Sequence, residues 1–530
     1  MFQRSRAGSN RRVKGWMAVG MSAMSLALVG TLSLTTVSAN AAARSPKASS
    51  GATLTIASQI TSSNLNPALS PTAVPENWFT DLDYEPFIIH NTTGGYSPGL
   101  AVSWGYVGTS NEQFVFNLRP NVQFSDGTTL TAAGAVTDLN YYLSQGEDTN
   151  AFGSTATVTA IGPLTVQITL QAPNAYMPYE LSQNGLGKVI SPMALATPAA
   201  TTALGSSSDG AGPYELDSSA TIANSSYVYV PNPHYYDPSL QYWGKVVIEI
   251  ITSPAAELAA LQTGQIQVMQ GETQLVSTAK SDGLNVLTAP GTNGPIYLGE
   301  NVPKKGPLSS LKVRQALEYG INRPLITKAL FGTYATQDEE FEGPGDTGYV
   351  KSLANYYTYN PTLAKKMLKE AGYPHGFTTA ANCSPQLDLA QICEAVQAEW
   401  AKIGVKLNVT SPTQDVWVTN IFSGKYPITG IGAFESSIAA QTRLDYLPGV
   451  LNEYVIPGVA ATYNAASAAA VGSVKATTEW AKLQKIETLA ATAVVVASPN
   501  LLMFTSKSVK GVNFSTGQPV PYPPYFAPAS

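Results

Sequence analysis

Charged residues are scarce in this chain of 530 residues, and two residue types that often carry chemistry are scarcer. Asp, Glu, Lys and Arg make up 12% of the chain, against roughly 25% in an ordinary globular domain. The three histidines, His90, His234 and His375, show no ligand spacing, which argues against a histidine metal site. We expect each of them in a loop or at a rim, and we predict no metal and no cofactor.

Catalytic motifs are also missing. The chain has no Gly-x-Ser-x-Gly elbow, no Gly-x-x-x-x-Gly-Lys phosphate loop and no Gly-x-Gly-x-x-Gly after a predicted strand. The acidic run Asp338, Glu339, Glu340 and Glu342 could supply the paired carboxylates of a secreted carbohydrate-active hydrolase. Gly and Pro surround this run, which favours a solvated loop. We therefore predict that the protein is not an enzyme.

The amino-terminal segment has the layout of an export signal. A basic stretch ending at Lys14 is followed by an apolar run over 16–34 and by the small-x-small sequence Ala39-Asn40-Ala41. These features predict a signal peptide over 1–41, followed by a flexible spacer over 42–51. The alternative is an uncleaved membrane anchor, although the apolar run barely reaches the ~20 residues that a span needs.

Export would leave an acidic protein. Cleavage after Ala41 removes five positive charges and no negative one, leaving 25 basic against 35 acidic residues, a net charge of −10. This balance argues against a nucleic-acid partner. Both cysteines, Cys383 and Cys393, lie far from the cleavage point, so we predict a soluble extracytoplasmic protein, periplasmic or secreted, without a lipid anchor. The two could form a disulfide there, with two buried free thiols as the alternative.

The first part of the chain reads as β-rich. Between Phe116 and Phe124, apolar residues alternate with polar ones, which predicts short strands with one buried face. Asp126-Gly127 is typical of a tight turn, and Thr131 can cap a helix that begins near Ala132.

Helical patterns dominate farther along the chain. Asn360 is a candidate N-cap for a helix that ends at Gly372. A second helix has an apolar stripe over 392–403, stops at Gly404 and leads into an alternating strand over 405–409. Helices that lead into strands predict an α/β domain.

Several stretches occur together in a specific order. They are "LNPALS", "YEPFIIHNTTGGYSPGLAVSWGYVGTSNEQFVFNLRPNVQFSDGTTLTAAGAV", "GAGPYELDSS", "NPHYYDP", "AELAALQTGQIQVM", "YLGENVPKKGPLSSLKVRQALEYGINRPLITKALFG", "YNPTLAKKMLKEAGYPHGF" and "VQAEWAKIGVKLNV". From about residue 52 to the C-terminus the chain resembles the extracytoplasmic substrate-binding proteins of ABC transporters, dipeptide/oligopeptide-binding class (solute-binding protein family 5).

The resemblance implies an α/β, periplasmic-binding-protein-like fold with two hinged lobes and an extra β-rich domain. Lobe I would combine 52–82, 207–293 and 500–530, the extra domain would cover 83–206, and lobe II would span 294–499. Crossing strands near 290–300 and 495–502 would form the hinge.

The implied function is to bind a solute, an oligopeptide by default, in the interlobe cleft and to deliver it to the permease subunits of an ABC importer. The protein would act as a monomer with no covalent chemistry. An oligosaccharide-binding receptor of the same fold is the alternative, and a chemosensory or chaperone-like receptor is a third possibility.

One stretch departs from the family pattern. Where peptide binders usually carry an aspartate that holds the ligand's amino terminus, this chain has Gly432-Ala433-Phe434-Glu435-Ser436-Ser437. Glu435 could supply the negative charge, Phe434 could shape a pocket for an uncharged ligand, or the segment could be a plain loop. Trp417 is a candidate aromatic wall of the cleft, with core packing as the alternative. The complete set of predicted ligand-binding residues is Asn64, Asn66, Asn293, Tyr297, Asn301, Trp417, Phe434, Glu435, Ser436, Arg443, Asp445 and Tyr446.

Overall fold

The computed structural model describes most of the chain after the amino-terminal segment. The described residues are 50–62, 64–69, 77–91, 95–145, 152–153, 155–183, 186–289, 296–299, 305–337, 342, 347–385, 389–432, 438–448, 455–514 and 521–529. The predicted export signal over 1–41 lies outside them. Among the described helices, none is both long enough and apolar enough to cross a membrane.

The strands fall into three larger sheets and two small two-stranded ones. In chain order they are β1 (Ser50–Ser58), β2 (Ile88–His90), β3 (Tyr96–Pro98), β4 (Ala101–Tyr106), β5 (Gln113–Leu118), β6 (Thr157–Ala160), β7 (Thr165–Thr169), β8 (Tyr214–Leu216), β9 (Ser226–Pro231), β10 (Trp243–Ile250), β11 (Val268–Gly271), β12 (Asn285–Ala289), β13 (Ile296–Gly299), β14 (Ala335–Gln337), β15 (Thr378–Cys383), β16 (Lys406–Thr410), β17 (Ile428–Gly432), β18 (Ala493–Pro499), β19 (Leu501–Thr505), β20 (Val509–Lys510) and β21 (Ala527–Pro528).

The α-helices concentrate in the second half of the chain. They are α1 (Trp78–Asp81), α2 (Ala132–Gln145), α3 (Met177–Glu180), α4 (Pro198–Ala203), α5 (Pro254–Gln262), α6 (Val276–Ser281), α7 (Leu311–Tyr319), α8 (Arg323–Phe331), α9 (Pro361–Glu370), α10 (Leu389–Ala401), α11 (Gln414–Ser423), α12 (Ile438–Gln441), α13 (Val459–Ser467) and α14 (Val474–Ala490).

Two mixed sheets form the framework, and the chain passes between them twice. A seven-stranded sheet has the order β12-β19-β11-β1-β10-β9-β8, and a six-stranded sheet has the order β14-β18-β13-β17-β15-β16. The chain leaves the first sheet after β12 and enters the second at β13; it returns from β18 to β19 across Asn500 alone. These two passages fall where the hinge was predicted. The hinge itself, like the exact domain boundaries, stays a prediction.

The alternating stretch singled out in the sequence begins on β5 of the third sheet, which has the order β4-β5-β7-β6, and continues beyond Leu118 through a turn to an isolated bridge between Gln123 and Thr129. Phe116 and Phe124 are fully buried in its core, so the predicted one-sided burial is confirmed. Gly127 has φ +81°, a left-handed conformation that suits glycine in the turn. The hydroxyl of Thr131 accepts a hydrogen bond from the Gly134 amide at 3.1 Å, which confirms the predicted cap of α2.

The helical patterns around the six-stranded sheet are also confirmed. The side chain of Asn360 accepts from the Leu363 amide at 2.9 Å and caps α9, and Gly372 follows that helix with φ +93°. The buried stripe of α10 packs on β15 and β16 in one core. Within that core Cys383 and Cys393 form a disulfide. Of the two alternatives left open by the sequence, the structure therefore has the bridged one.

One histidine lies in a different environment from the one expected. His90 is the last residue of β2, only 5% exposed, and its ring stacks on Tyr96 with 4.9 Å between centroids. The expectation of a loop or rim was wrong for this residue. A single histidine in an apolar stretch gives no periodic signal that would separate a buried strand position from a loop.

Candidate ligand-binding site

Three of the predicted ligand-binding residues lie on one irregular helical segment. Residues Thr442–Tyr446 form a π-helix directly after α12, and the Leu447 amide donates to the Thr442 carbonyl at 2.9 Å to close its wider turn. The segment carries Arg443, Asp445 and Tyr446. Short π-helical turns are rare and occur mostly at functional sites, because the extra residue changes the direction of the side chains.

Arg443 is neutralised by a carboxylate far away in the sequence. Its Nη2 lies 2.7 Å from Oε1 of Glu180, the last residue of α3, and its Nη1 donates to the Tyr463 hydroxyl at 3.3 Å. The two charged side chains are 15% and 7% exposed. Burial opposes the charge on Arg443, but Glu180 and Tyr463 outweigh it, so the pKa of Arg443 is raised. In this arrangement the guanidinium binds a carboxylate of the protein itself.

A second contact joins the same two parts of the chain. Asn111 lies in the turn between β4 and β5 with φ +55° and is buried. Its amide Nδ2 donates to the carbonyls of Ser467 at 3.0 Å and Ala469 at 2.8 Å, at the end of α13. Because α13 and α14 share a core with Val495 of β18, this contact connects the four-stranded sheet with the six-stranded sheet.

A cavity of about 550 Å³ lies between the same two parts of the chain, and we call it the aromatic pocket. The four-stranded sheet and α3 form one wall, and α14 with the residues before it forms the other. The rings of Tyr176 and Trp480 meet across it edge to face, with 5.5 Å between centroids. The full lining is Tyr96, Trp104, Gly105, Tyr106, Phe114, Ala175, Tyr176, Pro178, Thr347, Val471, Gly472, Ala476, Thr477 and Trp480.

Carboxylates gather around the other end of the π-helix. The Thr442 hydroxyl donates to Oε1 of Glu487 at 2.7 Å, and both residues are buried. Burial raises the pKa of Glu487 to about 8, and the charge of Asp445 adds to this while the Thr442 bond opposes it. The pKa of Tyr446 is raised by burial and then by the charges of Glu487, Asp445 and Glu342. Glu487 is therefore largely protonated near neutral pH, and the other carboxylates whose charges act on Tyr446 are those of Asp445 and Glu342. Their negative charge suits a positively charged ligand group.

The acidic run that was expected to be a solvated loop falls partly in this region. Residues 338–341 lie outside the described residues, but Glu342 is only 6% exposed. The expectation of solvation was wrong for Glu342. Its neighbours in sequence are Gly and Pro, so local composition could not indicate that the fold would cover its carboxylate.

Asn64 and Asn66, the two predicted ligand-binding residues nearest the amino terminus, form hydrogen bonds within a loop. The Asn64 side chain accepts from the Asn66 amide at 2.9 Å, while Asn66, which is 1% exposed, donates to the Tyr141 hydroxyl at 2.7 Å and accepts from the Ala68 amide. These bonds hold the loop after β1 against α2. A ligand contact by either residue stays a prediction.

Seven predicted ligand-binding residues remain. One of them is buried, and the side chains of the other six lie outside the described part of the structure. Trp417 lies on α11, is 6% exposed and donates from Nε1 to the Asn382 carbonyl at 3.3 Å, as in core packing. Tyr297 lies on β13, where its backbone pairs with Ile431 and Val495. Its side chain lies outside the described part, as do Asn293, Asn301, Phe434, Glu435 and Ser436 in full.

None of the residues that line the aromatic pocket was predicted, and neither were Glu180, Asn111, Tyr463 and Glu487. Glu180 and Arg443 are 263 positions apart, so no local pattern could pair them. Asn111 offered the best signal, because asparagine is one of the few residues that adopt a left-handed conformation in turns. That signal predicts the turn but not the carbonyls that the side chain reaches.

Comparison with known proteins decides the family. The family model for bacterial extracellular solute-binding proteins, family 5 Middle, matches residues 95–451, more than half of the chain. The chain belongs to solute-binding protein family 5. The matched range includes Glu180 and Arg443, so both partners of the ion pair lie within the family's common region.

Curated relatives of this family 5 protein include glutathione-binding proteins. The protein GsiB of Escherichia coli K12 and that of Shigella dysenteriae are each 31% identical over 337 residues. The aligned region covers 62% of this chain and 64% of either relative. The chain thus spans somewhat less than two thirds of the length of these relatives.

Solved structures with the same fold cover nearly the whole chain. The periplasmic binding protein DppA of Helicobacter pylori, in complex with the peptide STSA, has a TM-score of 0.80 at 20% identity, covering 91% of this chain and 98% of its own. AgaA of A. tumefaciens R10, in complex with agropinic acid, has a TM-score of 0.79 at 20% identity, covering 90% and 98%. NikA of Brucella suis, with Fe(III)-EDTA, has 0.75 at 18% identity, covering 90% and 99%. The predicted periplasmic-binding-protein-like fold is confirmed.

Proposed function

We propose that this family 5 protein binds a small solute, by default an oligopeptide, between its lobes and delivers it to the permease of an ABC importer. The observation that carries this proposal is the pair of contacts around a cavity, Glu180 with Arg443 and Asn111 with the end of α13. They join two parts of the chain that are built on different sheets. The cavity between them falls within the range of ordinary ligand sites.

The mechanism needs two states of the protein and no covalent step. When the lobes separate, the Arg443–Glu180 pair breaks and both groups become hydrated. When they close around a solute, the pair re-forms in a site with little water, where its attraction is stronger. A permease can then recognise the closed surface, because that surface exists only while the ligand holds the two lobes together.

The charges of the site support a ligand with an amino group. Because Glu180 occupies Arg443, the charges of Asp445 and Glu342 near Tyr446 leave the π-helix region negative. A peptide's amino terminus would be favourable there. An oligosaccharide, the alternative ligand, carries no positive charge and would gain nothing from this negative field. Related proteins of known structure hold a peptide, agropinic acid or Fe(III)-EDTA, and these ligands belong to those proteins.

The proposed role in import also implies where in the cell the protein works. A receptor for an importer works outside the cytoplasmic membrane, and the basic and apolar pattern over 1–41 would direct the chain there. We infer an exported, monomeric protein. Amino-terminal sequencing of the protein recovered from the extracytoplasmic fraction would test this. Cleavage near Ala41 is expected, and a full-length chain in the membrane fraction would contradict it.

A thermal-shift screen tests the ligand class. Ligands that bind only the folded state raise the melting temperature. At a ligand concentration of a hundred times Kd, the free energy of unfolding increases by about 2.7 kcal/mol. Di- to pentapeptides should produce shifts, and cello- and xylo-oligosaccharides should not. Shifts with the saccharides alone would replace the peptide proposal with the oligosaccharide alternative. No shift with any solute would contradict the binding function.

A further inference from the structure

The aromatic pocket is built like a receptor for a flat, apolar group. Its floor is buried, with Phe114 fully covered and Trp480 2% exposed, while its rim is open, with Tyr96 37% and Val471 62% exposed. A dry cavity of ~150 Å³ can already hold a benzene ring. A pocket of about 550 Å³ therefore has room for a phenyl, phenol or indole group together with part of the chain that carries it.

No charged side chain is found among the described residues that line this pocket. Two acids act on tyrosines of the lining after burial: Glu180, which is paired with Arg443, helps to raise the pKa of Tyr96, and Glu342 helps to raise the pKa of Tyr176. A charged ligand group would lose its hydration here without meeting a partner. The group that enters should be uncharged.

Several hydroxyls of the lining form hydrogen bonds with the protein. Tyr106 Oη accepts from the Met177 amide at 3.0 Å, and Thr477 Oγ1 donates to the Ser473 carbonyl at 3.3 Å. Tyr176 shares a hydrogen bond with Thr347. A sugar ring brings several hydroxyls that must be satisfied when they are buried, at a cost of about 1–3 kcal/mol for each one that is not. A phenyl ring has no such need, a phenol or indole brings a single polar group, and all three gain from edge-to-face contacts.

We propose that the aromatic pocket binds an aromatic side chain of the transported solute, so that the preferred ligands are short peptides containing Phe, Tyr or Trp. This inference rests on the proposed function, since the pocket is a subsite of the cleft that the two lobes close. The pocket would select among peptides, while the charged groups at the π-helix would hold the ligand's amino terminus.

Gly105 provides a way to fill the pocket without disturbing the protein. It lies on β4, lines the pocket, and a Cβ atom built there has no neighbour within 4 Å. The substitution Gly105→Phe therefore places a ring in the cavity itself. Val102→Phe is the matched control, because Val102 lies on the same strand, is 40% exposed and is not part of the lining.

The test is calorimetric binding of the tripeptides Ala-Phe-Ala and Ala-Ala-Ala to the full chain and to both variants. Burial of the extra ring should make Ala-Phe-Ala bind at least about tenfold more tightly to the wild type and to Val102→Phe. In Gly105→Phe this ratio should fall to near one, while Val102→Phe keeps the wild-type affinity for both tripeptides. A ring-only probe, p-cresol, should give saturation-transfer NMR signals with the wild type that Gly105→Phe abolishes.

The outcomes separate the inference from the proposed function. Equal binding of the two tripeptides to the wild type, or a preference that survives Gly105→Phe, overturns the aromatic subsite and leaves peptide binding intact. Binding of cellobiose that Gly105→Phe abolishes would assign the pocket to sugars and overturn the inference. If neither tripeptide binds but p-cresol signals disappear in Gly105→Phe, the aromatic subsite stands and the peptide ligand fails.

Discussion

The Arg443–Glu180 pair predicts that one substitution will open the protein without unfolding it. Arg443→Met leaves the Glu180 carboxylate, 7% exposed, without its cation. Stranding one partner of a buried pair costs about 3–5 kcal/mol. We expect the lower end, about 3 kcal/mol, because the Arg443 side chain is 15% exposed and the pair keeps some contact with water. If the pair joins two moving lobes, the protein avoids this cost by opening, since Glu180 is hydrated in the open state.

The size of this energetic cost determines how far the balance between the open and closed states will shift. A shift of about 3 kcal/mol changes an equilibrium constant by roughly a hundredfold, which is enough to make the open state dominant in a protein that was mostly closed. The double variant with Glu180→Gln carries no stranded charge. It should recover most of the closed population, because the penalty belongs to the unpaired carboxylate rather than to the missing contact.

Distances between two spin labels measure this directly. Ile161, 55% exposed in the turn between β6 and β7, and Leu325, 53% exposed on α8, are suitable label sites on the two sides. The native cysteines are joined in a disulfide and leave the labelling chemistry free. With a bound tripeptide, wild type should show a short distance, Arg443→Met a longer one, and the double variant mostly the short one again.

A matched control uses an exposed ion pair. Lys312 and Glu370 lie 3.0 Å apart with side chains 48% and 45% exposed, both within the part built on the six-stranded sheet. Lys312→Met should leave the label distance unchanged, since exposed pairs contribute about 0–1 kcal/mol. The reasoning is refuted if Arg443→Met lowers the melting temperature while its distance distribution stays that of the wild type. In that case the pair would lie inside one rigid unit.

Three further substitutions test other parts of the structure. Burial raises the folded pKa of Glu487 to about 8, above an unfolded value near 4.3. The protonated group therefore stabilises the folded state at low pH, and this stability is lost at up to about 1.4 kcal/mol per pH unit as the pH rises through about 8. The melting temperature of wild type should fall relative to that of Glu487→Gln between pH 5 and 9, and a constant difference would contradict this. Asn111→Gly keeps the left-handed backbone but removes two hydrogen bonds, so peptide affinity should weaken by about tenfold or more in calorimetry, a loss of 1–3 kcal/mol; unchanged affinity would show that this contact does not contribute to closure. Gly430→Ala would put a Cβ atom 2.6 Å from Cys393 Sγ and should cost about 1–3 kcal/mol in thermal unfolding, whereas Gly105→Ala should cost little; equal melting temperatures for the two variants would contradict the close packing at the disulfide.

Sequence reasoning succeeded where neighbours along the chain decide the structure. The strand alternation ending at Phe124, the cap at Thr131 and the start of α9 after Asn360 all depend on contacts within a few residues. The order of motifs was specific enough to indicate the family. Each of these features can be read from a short window because hydrogen bonds and burial there follow the local periodicity.

The candidate site is formed by contacts between residues that lie far apart in the sequence, so no short stretch of sequence could predict them. Arg443 was selected from its region, but its partner Glu180 lies in another part of the fold, so the guanidinium binds a carboxylate of the protein itself. Glu342 is buried although its surroundings are rich in Gly and Pro. Tertiary packing, rather than local composition, decides which polar groups lose water.

Native mass spectrometry of the exported protein, purified without dialysis, tests the central claim most directly. The account predicts one small-molecule adduct per chain that is lost on denaturation and whose fragments identify a short peptide with an aromatic residue. A bare chain that also takes up no adduct after incubation with a mixed tripeptide library would contradict the claim that this protein captures a peptide solute.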